Sequence, residues 1–389
     1  MKLKRSVDLP GLLAQKSHFL FGPRGTGKTF LAREQLGGKA AFCDLLHSDT
    51  YLTLSTSPSD LEDMVHEQIT RPNEPVFVVI DEIQKLPSLL DETHRLIESK
   101  GWKFLLTGSS ARKLYRRGVN LLAGRAWNQN LHPLTWKEIP DFHLSRHLRY
   151  GGLPAVYLSS EPRKKLQLQA YVTNYIEQEI QMEGLVRKIP QFSRFLKAAA
   201  LTNGKVLNFD KLGRDYAMPP STIREYYSIL QETFIGMVLE PLSKSTKRKA
   251  VSTSKFHFFD TGVLAALNGM KTLERNSDIF GNFLETWLVN EVRAYISYRR
   301  LHLPLHYWRT TAGYEVDLVA DDEAAIEIKS TRRVAREDLK GLTALKEEGI
   351  VEKFFLVSED KTAILRNGVH CLHWSDFLEK LWGGEVIRA

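Results

Sequence analysis

Residues 22–29 read Gly-Pro-Arg-Gly-Thr-Gly-Lys-Thr, types and spacing suited to holding a chain of phosphates. Gly22, Gly25 and Gly27 let the backbone wrap around anionic oxygens with its N–H groups pointing inward, and Thr26 lies within that loop. Lys28 is placed to reach terminal phosphates, and the Thr29 hydroxyl is a ligand for Mg²⁺. Downstream, Asp81 and Glu82 form a second pair of candidate groups. Asp81 would hold Mg²⁺, while Glu82 would orient and polarise an attacking water. Thr107-Gly-Ser-Ser110 offers a third, with Ser109 in reach of a γ-phosphate or of that water. Arg125 follows as a cation that could stabilise transition-state charge, with Arg116 and Arg117 as alternatives. The chemistry these residues suggest is hydrolysis of a nucleoside triphosphate. There is no Asn/Thr-Lys-x-Asp element to read guanine, so ATP is expected.

These groups need a scaffold that brings distant segments together. Apolar, strand-like runs at 17–22, 39–45, 75–80 and 103–107, with a fifth near 126–131, alternate with helical stretches. That pattern predicts an α/β fold with a parallel sheet buried on both faces. Ligands bind at the carboxyl ends of such strands, where the candidate residues fall. The phosphate loop, the acidic strand end and the polar strand end follow the order found in AAA+ proteins. In those proteins an arginine before the fifth strand reaches a neighbouring subunit. Arg125 in that role implies a homo-oligomer, for which a hexameric ring is one arrangement.

A second constellation is Glu285, Asp317, Glu327 and Lys329. The alternating segment 314–320 and the segment 324–329, separated by Asp321-Asp-Glu323, should pair as a hairpin. Side-chain period two puts Glu327 and Lys329 on one face, with Asp317 opposite, and Glu285 lies in an upstream helix. This resembles the PD-(D/E)xK nuclease core, without its proline. The resemblance implies carboxylates Glu285, Asp317 and Glu327 holding Mg²⁺ or Mn²⁺ and Lys329 stabilising charge at the scissile phosphate.

Between the two constellations, residues 140–185 read as helices that could form a lid. Helical segments at 194–201, 209–216 and 220–230, with Ser221 as N-cap of the third, outline a helix-turn-helix. Extended segments at 235–240 and 255–259 would be the strands of a wing. Lys244, Lys247, Arg248 and Lys249 in the intervening loop, with Lys255, would suit phosphate contacts with DNA.

The segments Gly22 to Thr29, Val79-Ile-Asp-Glu82, Thr107-Gly-Ser-Ser110, Leu122-Ala-Gly-Arg125, Leu131-His-Pro-Leu-Thr-Trp-Lys-Glu138 and Tyr150-Gly-Gly-Leu-Pro-Ala155 resemble one prokaryotic family. It consists of AAA+-type ATPases fused to a C-terminal domain of formerly unknown function. The expected organisation is a P-loop ATPase core at 1–138 and a helical lid or linker at 139–186. A winged helix-turn-helix at 187–272 and a restriction-endonuclease-like α/β domain at 273–389 would follow. The expected function is a DNA-dependent ATPase coupled to a metal-dependent endonuclease acting on duplex or branched DNA. The rival is an ATP-driven switch that binds nucleic acid or protein through a catalytically silent nuclease-like domain.

The bulk properties agree with these expectations. The chain of 389 residues carries a net charge of +8 and a pI near 9.2, which permits a polyanionic partner. Cys43 and Cys371 stand far apart, which suggests neither a disulfide framework nor a zinc cluster and fits a reducing cytoplasm. The basic start is not followed by a signal-like apolar stretch, and no run of about 18 apolar residues predicts a membrane span.

Overall fold

The computed structural model of the chain describes residues 3–69, 76–110, 114, 122–177, 189–244, 247–275 and 277–388. The chain divides into two compact units, one comprising 1–132 with 232–234, the other 133–231 with 235–389.

The first unit is an α/β layer structure. Its strands are β1 (Ser17–Phe21), β2 (Ala40–Asp44), β3 (Phe77–Asp81), β4 (Lys103–Gly108) and β5 (Ala126–Asn130). They form one sheet in the order β2-β3-β4-β1-β5, parallel at every pairing. All five residues of β1 are buried, as expected for an inner strand covered on both faces. Phe19, Phe21, Val78, Ile80, Phe104 and Leu106 join one apolar cluster. The alternate residues Leu20, Val79 and Leu105 are buried as well. The crossover helices include Lys28–Leu36 after β1 and Leu89–Lys100 between β3 and β4. Because the strands run in one direction, their carboxyl ends collect at one edge. The register Phe21↔Gly108 and Ile80↔Leu106 therefore brings the phosphate loop, Asp81 and the 107–110 segment side by side.

The second unit is built on an eight-stranded mixed sheet. Its strands are β6 (Gly236–Pro241), β7 (Lys255–Phe258), β8 (Leu305–Arg309), β9 (Glu315–Ala320), β10 (Ala324–Ile328), β11 (Lys353–Ser358), β12 (Ile364–Arg366) and β13 (Val369–His373). Their order is β12-β13-β11-β10-β9-β8-β6-β7. The helices Ile189–Leu201, Phe209–Tyr216 and Pro220–Glu232 precede β6. The third begins at Pro220, so Ser221 lies in its first turn rather than at its cap.

The strands β6 and β7 pair antiparallel, and β6 pairs parallel with β8 through Glu240↔His306 and Pro241↔Tyr307. The extended segments expected to form a separate wing thus continue the sheet of the last hundred residues, across the boundary expected at 272/273. The hairpin of β9 and β10 pairs Ala320 with Ala324 and Leu318 with Ile326. The helix Asp278–Tyr298 buries Phe283, Leu284, Trp287 and Leu288 in a cluster with Leu318 and Ile326.

Glycine is required where Tyr150-Gly-Gly meets the helix Thr261–Leu267. Gly151 has φ +71° and a side chain there would collide with the Asp260 carboxylate. That carboxylate caps the helix by accepting from Val263 N at 3.0 Å and also accepts from Gly152 N at 2.7 Å.

Candidate functional site

The phosphate loop is shaped by its glycines. Gly22, Gly25 and Gly27 have φ of +153°, +77° and +89°, values that side chains strain to adopt. A Cβ at Gly22 would also lie 2.3 Å from the Leu131 carbonyl oxygen. Gly27 is the N-cap of the helix Lys28–Leu36, so the loop runs into a positive dipole end. Thr26 Oγ1 donates to Pro23 O at 2.9 Å. Lys28 Nζ donates to Gly22 O at 2.8 Å and Pro23 O at 3.1 Å.

Arg5, which nothing in the sequence singles out, is buried beside this loop. Its guanidinium donates to Thr26 O at 2.8 Å and to His132 O at 2.6 Å, bracing the loop from behind. No local pattern around Arg5 signals that contact.

Thr29 Oγ1 donates to Asp81 Oδ2 at 2.7 Å, and Thr107 Oγ1 donates to Asp81 Oδ1. Burial raises the Asp81 carboxyl above its ordinary pKa, against the hydrogen bonds from Thr107 and Thr29. A hydroxyl and a carboxylate face to face are oxygen ligands of the kind a hard cation such as Mg²⁺ takes. The residues present fit that ion.

Glu82 follows with φ +61°, a left-handed conformation rare for a residue with a side chain and often kept at functional positions. Its N–H donates to Thr107 Oγ1 at 3.1 Å. Its carboxylate accepts from Gln84 Nε2 and from Ser109 Oγ at 3.3 Å. Gln84 Nε2 also donates to Ser109 Oγ at 3.1 Å. Gln84 and Thr107 thus hold the two acids; Thr107 lies in the polar strand end read from the sequence, whereas no motif marks Gln84. Arg125 precedes β5, and its guanidinium pairs with Glu98 of the helix Leu89–Lys100. The alternatives Arg116 and Arg117 lie outside the described residues.

In the second unit the hairpin and the helix Asp278–Tyr298 bring the expected acids together around a group expected elsewhere. Lys255, at the start of β7, is 3% exposed; its Nζ lies 2.7 Å from Glu315 Oε1, 3.4 Å from Glu285 Oε1 and 3.8 Å from Asp317 Oδ1. Burial works against the Lys255 ammonium, but Glu285, Asp317 and Glu315 outweigh it and raise its pKa. Asp317 Oδ2 accepts from Ile328 N at 2.8 Å. Its carboxyl is pushed up to about 6, by burial and then by Glu285, with Lys255 and Lys329 opposing. Lys329 Nζ pairs with Glu327 Oε1 at 2.5 Å, and Glu327 Oε2 is buried with no hydrogen-bond partner.

Among the described residues, no three or more His, Cys, Asp or Glu side chains are arranged to hold a metal ion. The ammonium of Lys255 takes the central position, so the residues as placed do not fit the Mg²⁺ or Mn²⁺ expected at Glu285, Asp317 and Glu327.

Most of the other basic residues of the 244–255 stretch are also engaged. Lys244 Nζ pairs with Asp321 Oδ1 at 3.0 Å. Arg248 pairs with Glu347 and with Glu348 Oε1 at 3.2 Å. Lys247 Nζ donates to Glu347 O. Lys249 is exposed, and its carbonyl accepts from Thr311 N at 3.0 Å. The loop packs onto acids of its own unit, and Lys255 lies inside the sheet rather than at a wing tip. Among the described residues no helix is long and apolar enough to cross a membrane.

Comparison with known proteins divides the chain in three. Residues 14–140 match the family model of an AAA domain. Residues 141–274 and 280–377 match two domains of unknown function, DUF8612 and DUF4143 respectively. An uncharacterized protein of Haemophilus influenzae is 23% identical over 229 residues, covering 54% of this chain and 57% of that protein. One of Methanocaldococcus jannaschii is 21% identical over 291 residues, covering 66% of this chain and 63% of that protein. The chain therefore spans less than two thirds of the length of either relative. The Orc1 protein of Aeropyrum pernix, solved in complex with DNA, aligns with TM-score 0.27 and 14% identity over 67% of this chain and 90% of that one. The family match, with the parallel sheet and its loop, makes the first unit a P-loop domain of the AAA ATPase type.

Proposed function

We propose that the chain is an ATP-driven switch that engages nucleic acid through its second unit. The observation that carries the reading is the linked set Thr29–Asp81–Thr107 and Glu82–Gln84–Ser109 at the ends of adjacent parallel strands. Mg²⁺, when bound with ATP, neutralises phosphate charge and draws on the Thr29 hydroxyl and the Asp81 carboxylate. The loop N–H groups and Lys28 bind the phosphates. Glu82, fixed at φ +61° beside Gln84 and Ser109, orients the attacking water and takes its proton. Arg125 is the candidate to stabilise developing charge in a neighbouring subunit, which makes a homo-oligomer, with a hexameric ring as one form of it, part of the proposal.

For the second unit, the nuclease-like grouping of Glu285, Asp317, Glu327 and Lys329 supports a role on DNA, and the net charge of +8 over the whole chain suits a polyanionic partner. The position of Lys255 favours binding over metal-dependent cleavage. The three helices and the hairpin within 187–272 are read as a winged helix-turn-helix whose hairpin is built into the larger sheet.

Glu82→Gln should keep ATP binding and lose turnover, measured by nucleotide binding and phosphate release; normal turnover in that variant refutes the assigned role. Linear, supercoiled and four-way-junction DNA with Mg²⁺ or Mn²⁺ should be bound and left intact. Cleavage of any of them that is lost in Lys329→Ala restores the endonuclease reading.

A further inference from the structure

We infer that Lys255 is a built-in counter-ion whose ammonium stands where a divalent cation would sit, and that removing it unmasks a cation site formed by Glu285, Glu315 and Asp317. The inference deepens the reading of the second unit as a nuclease-like grouping that does not cut, and rests on it.

The geometry is specific. One nitrogen approaches three carboxylates from three places in the sheet and its covering helix, at 2.7, 3.4 and 3.8 Å. Its position is fixed by the fold rather than by the flexibility of a surface lysine. Lys255 is paired with Leu239 in the β6–β7 ladder and its ammonium lies 5.2 Å from the centre of the Tyr307 ring. An ion bound to the same oxygens at about 2.0–2.6 Å would lie within a few ångströms of that ammonium. Two cations so close in a buried setting repel strongly.

The acids nevertheless keep the features of a ligand set. Glu285 lies on the covering helix, Glu315 and Asp317 share one face of β9, and Glu327 on β10 presents a buried, unpartnered Oε2. His257 Nε2 is 3.7 Å from Glu285 Oε1. Without the Lys255 ammonium, the cluster still borders two cations, Arg309 at 3.3 Å from Glu315 Oε2 and Lys329 on Glu327. Three carboxylates with an imidazole nearby suit Mn²⁺. Glu315 takes part only because it stands two residues before Asp317 on the same strand face.

The test is Mn²⁺ binding to the full chain without nucleotide, followed by electron paramagnetic resonance. Asp81→Asn is placed in every sample to silence the phosphate-loop site. On that background the protein should bind no Mn²⁺ tighter than about 10⁻³ M at the second unit. Lys255→Ala should gain one site per chain at least tenfold tighter, and adding Asp317→Asn should remove it. Circular dichroism checks that each variant is folded. A site of equal strength with Lys255 present and lost on Asp317→Asn overturns the inference. So does a folded Lys255→Ala that gains none. Should Lys255→Ala not fold, Lys255→Met carries the same comparison, and the measurement with Lys255 intact stands alone. The DNA-binding assays are separate, so loss of the nucleic-acid reading and loss of this inference are told apart.

Discussion

Thr29 and Asp81, 52 positions apart in the chain, meet in a 2.7 Å hydrogen bond. It joins the first turn of the helix after β1 to the end of β3, so β1 and β3 must both be in parallel register with β4 between them for it to form. Thr29→Ala should lower ATP turnover by about 10²-fold or more and make the remaining turnover depend on higher Mg²⁺, because one oxygen of the set is gone. Thr29→Ser should retain most of the rate. Phosphate release over a Mg²⁺ titration checks both. A Thr29→Ala protein with wild-type rate and Mg²⁺ dependence would show that this hydroxyl is not in the machinery.

Gln84 gives a prediction that separates orientation from binding. Its amide donates to both Glu82 and Ser109, so it sets where the Glu82 carboxylate points. Replacing it by Leu should cut kcat by about tenfold through a misplaced base. ATP affinity should stay within about twofold, since the amide is spent on Glu82 and Ser109 rather than on the phosphate loop. Steady-state kinetics beside equilibrium nucleotide binding give the two numbers.

What is legible in the sequence is what is local. The phosphate loop is eight consecutive residues, and Asp81-Glu82 closes a run of apolar residues, so spacing alone announces both. The hairpin of 314–320 and 324–328 is also a short-range object and is readable from its alternation. Arg5 is not readable, because its partners Thr26 O and His132 O are backbone atoms far along the chain. Lys255 misleads for a related reason. Basic residues precede it in sequence, which suggests a solvated tip, but its burial comes from β6 joining β8. Parallel pairing between strands separated by another strand and two helices leaves no nearest-neighbour trace. Glu315 carries no signal of its own, because the lysine that makes it part of the cluster sits on a strand sixty positions earlier.

The basic segments can be ranked by their partners. Lys244, Lys247 and Arg248 are tied to Asp321, Glu347 and Glu348 or their backbone. Charges already paired contribute little to a polyanion. Arg332, Arg333 and Arg336 are exposed in the stretch after Lys329. Thr331 Oγ1, donating to Arg333 O at 2.9 Å, and Asp360, accepting from Val334 N at 3.0 Å, hold that turn in place. Neutralising the three arginines should lower the slope of log affinity for duplex DNA against log salt by about 0.9 for each phosphate no longer neutralised. Neutralising Lys244, Lys247 and Arg248 should change that slope by less than about 0.9 in all. Fluorescence anisotropy across a salt series measures both, and the reverse ranking returns DNA recognition to the 244–249 loop.

Glu291 makes one separable contribution to the pH dependence of the second unit. It is buried on the helix Asp278–Tyr298 and accepts from Trp136 N at 2.7 Å and Trp287 Nε1 at 3.1 Å. Burial nevertheless pushes its carboxyl from 4.5 up to about 8. Between those values the native chain holds a proton that the unfolded chain releases. The contribution of this group to stability is therefore full below pH 4.5 and is lost as pH rises towards 8. Glu291→Gln keeps an acceptor oxygen and cannot ionise, so it should be close to neutral at about pH 4.5 and increasingly stabilising up to about pH 8, flat above. A tenfold change in proton affinity is worth about 1.4 kcal/mol, and about 1 kcal/mol moves the midpoint of a unit this size by ~2–4 °C, so a gain of several °C at about pH 8.5 is expected. Thermal unfolding of wild type and variant at matched pH values gives the difference curve. A curve that is flat from about pH 4.5 to 9 would mean that Glu291 ionises in the folded chain as readily as in water.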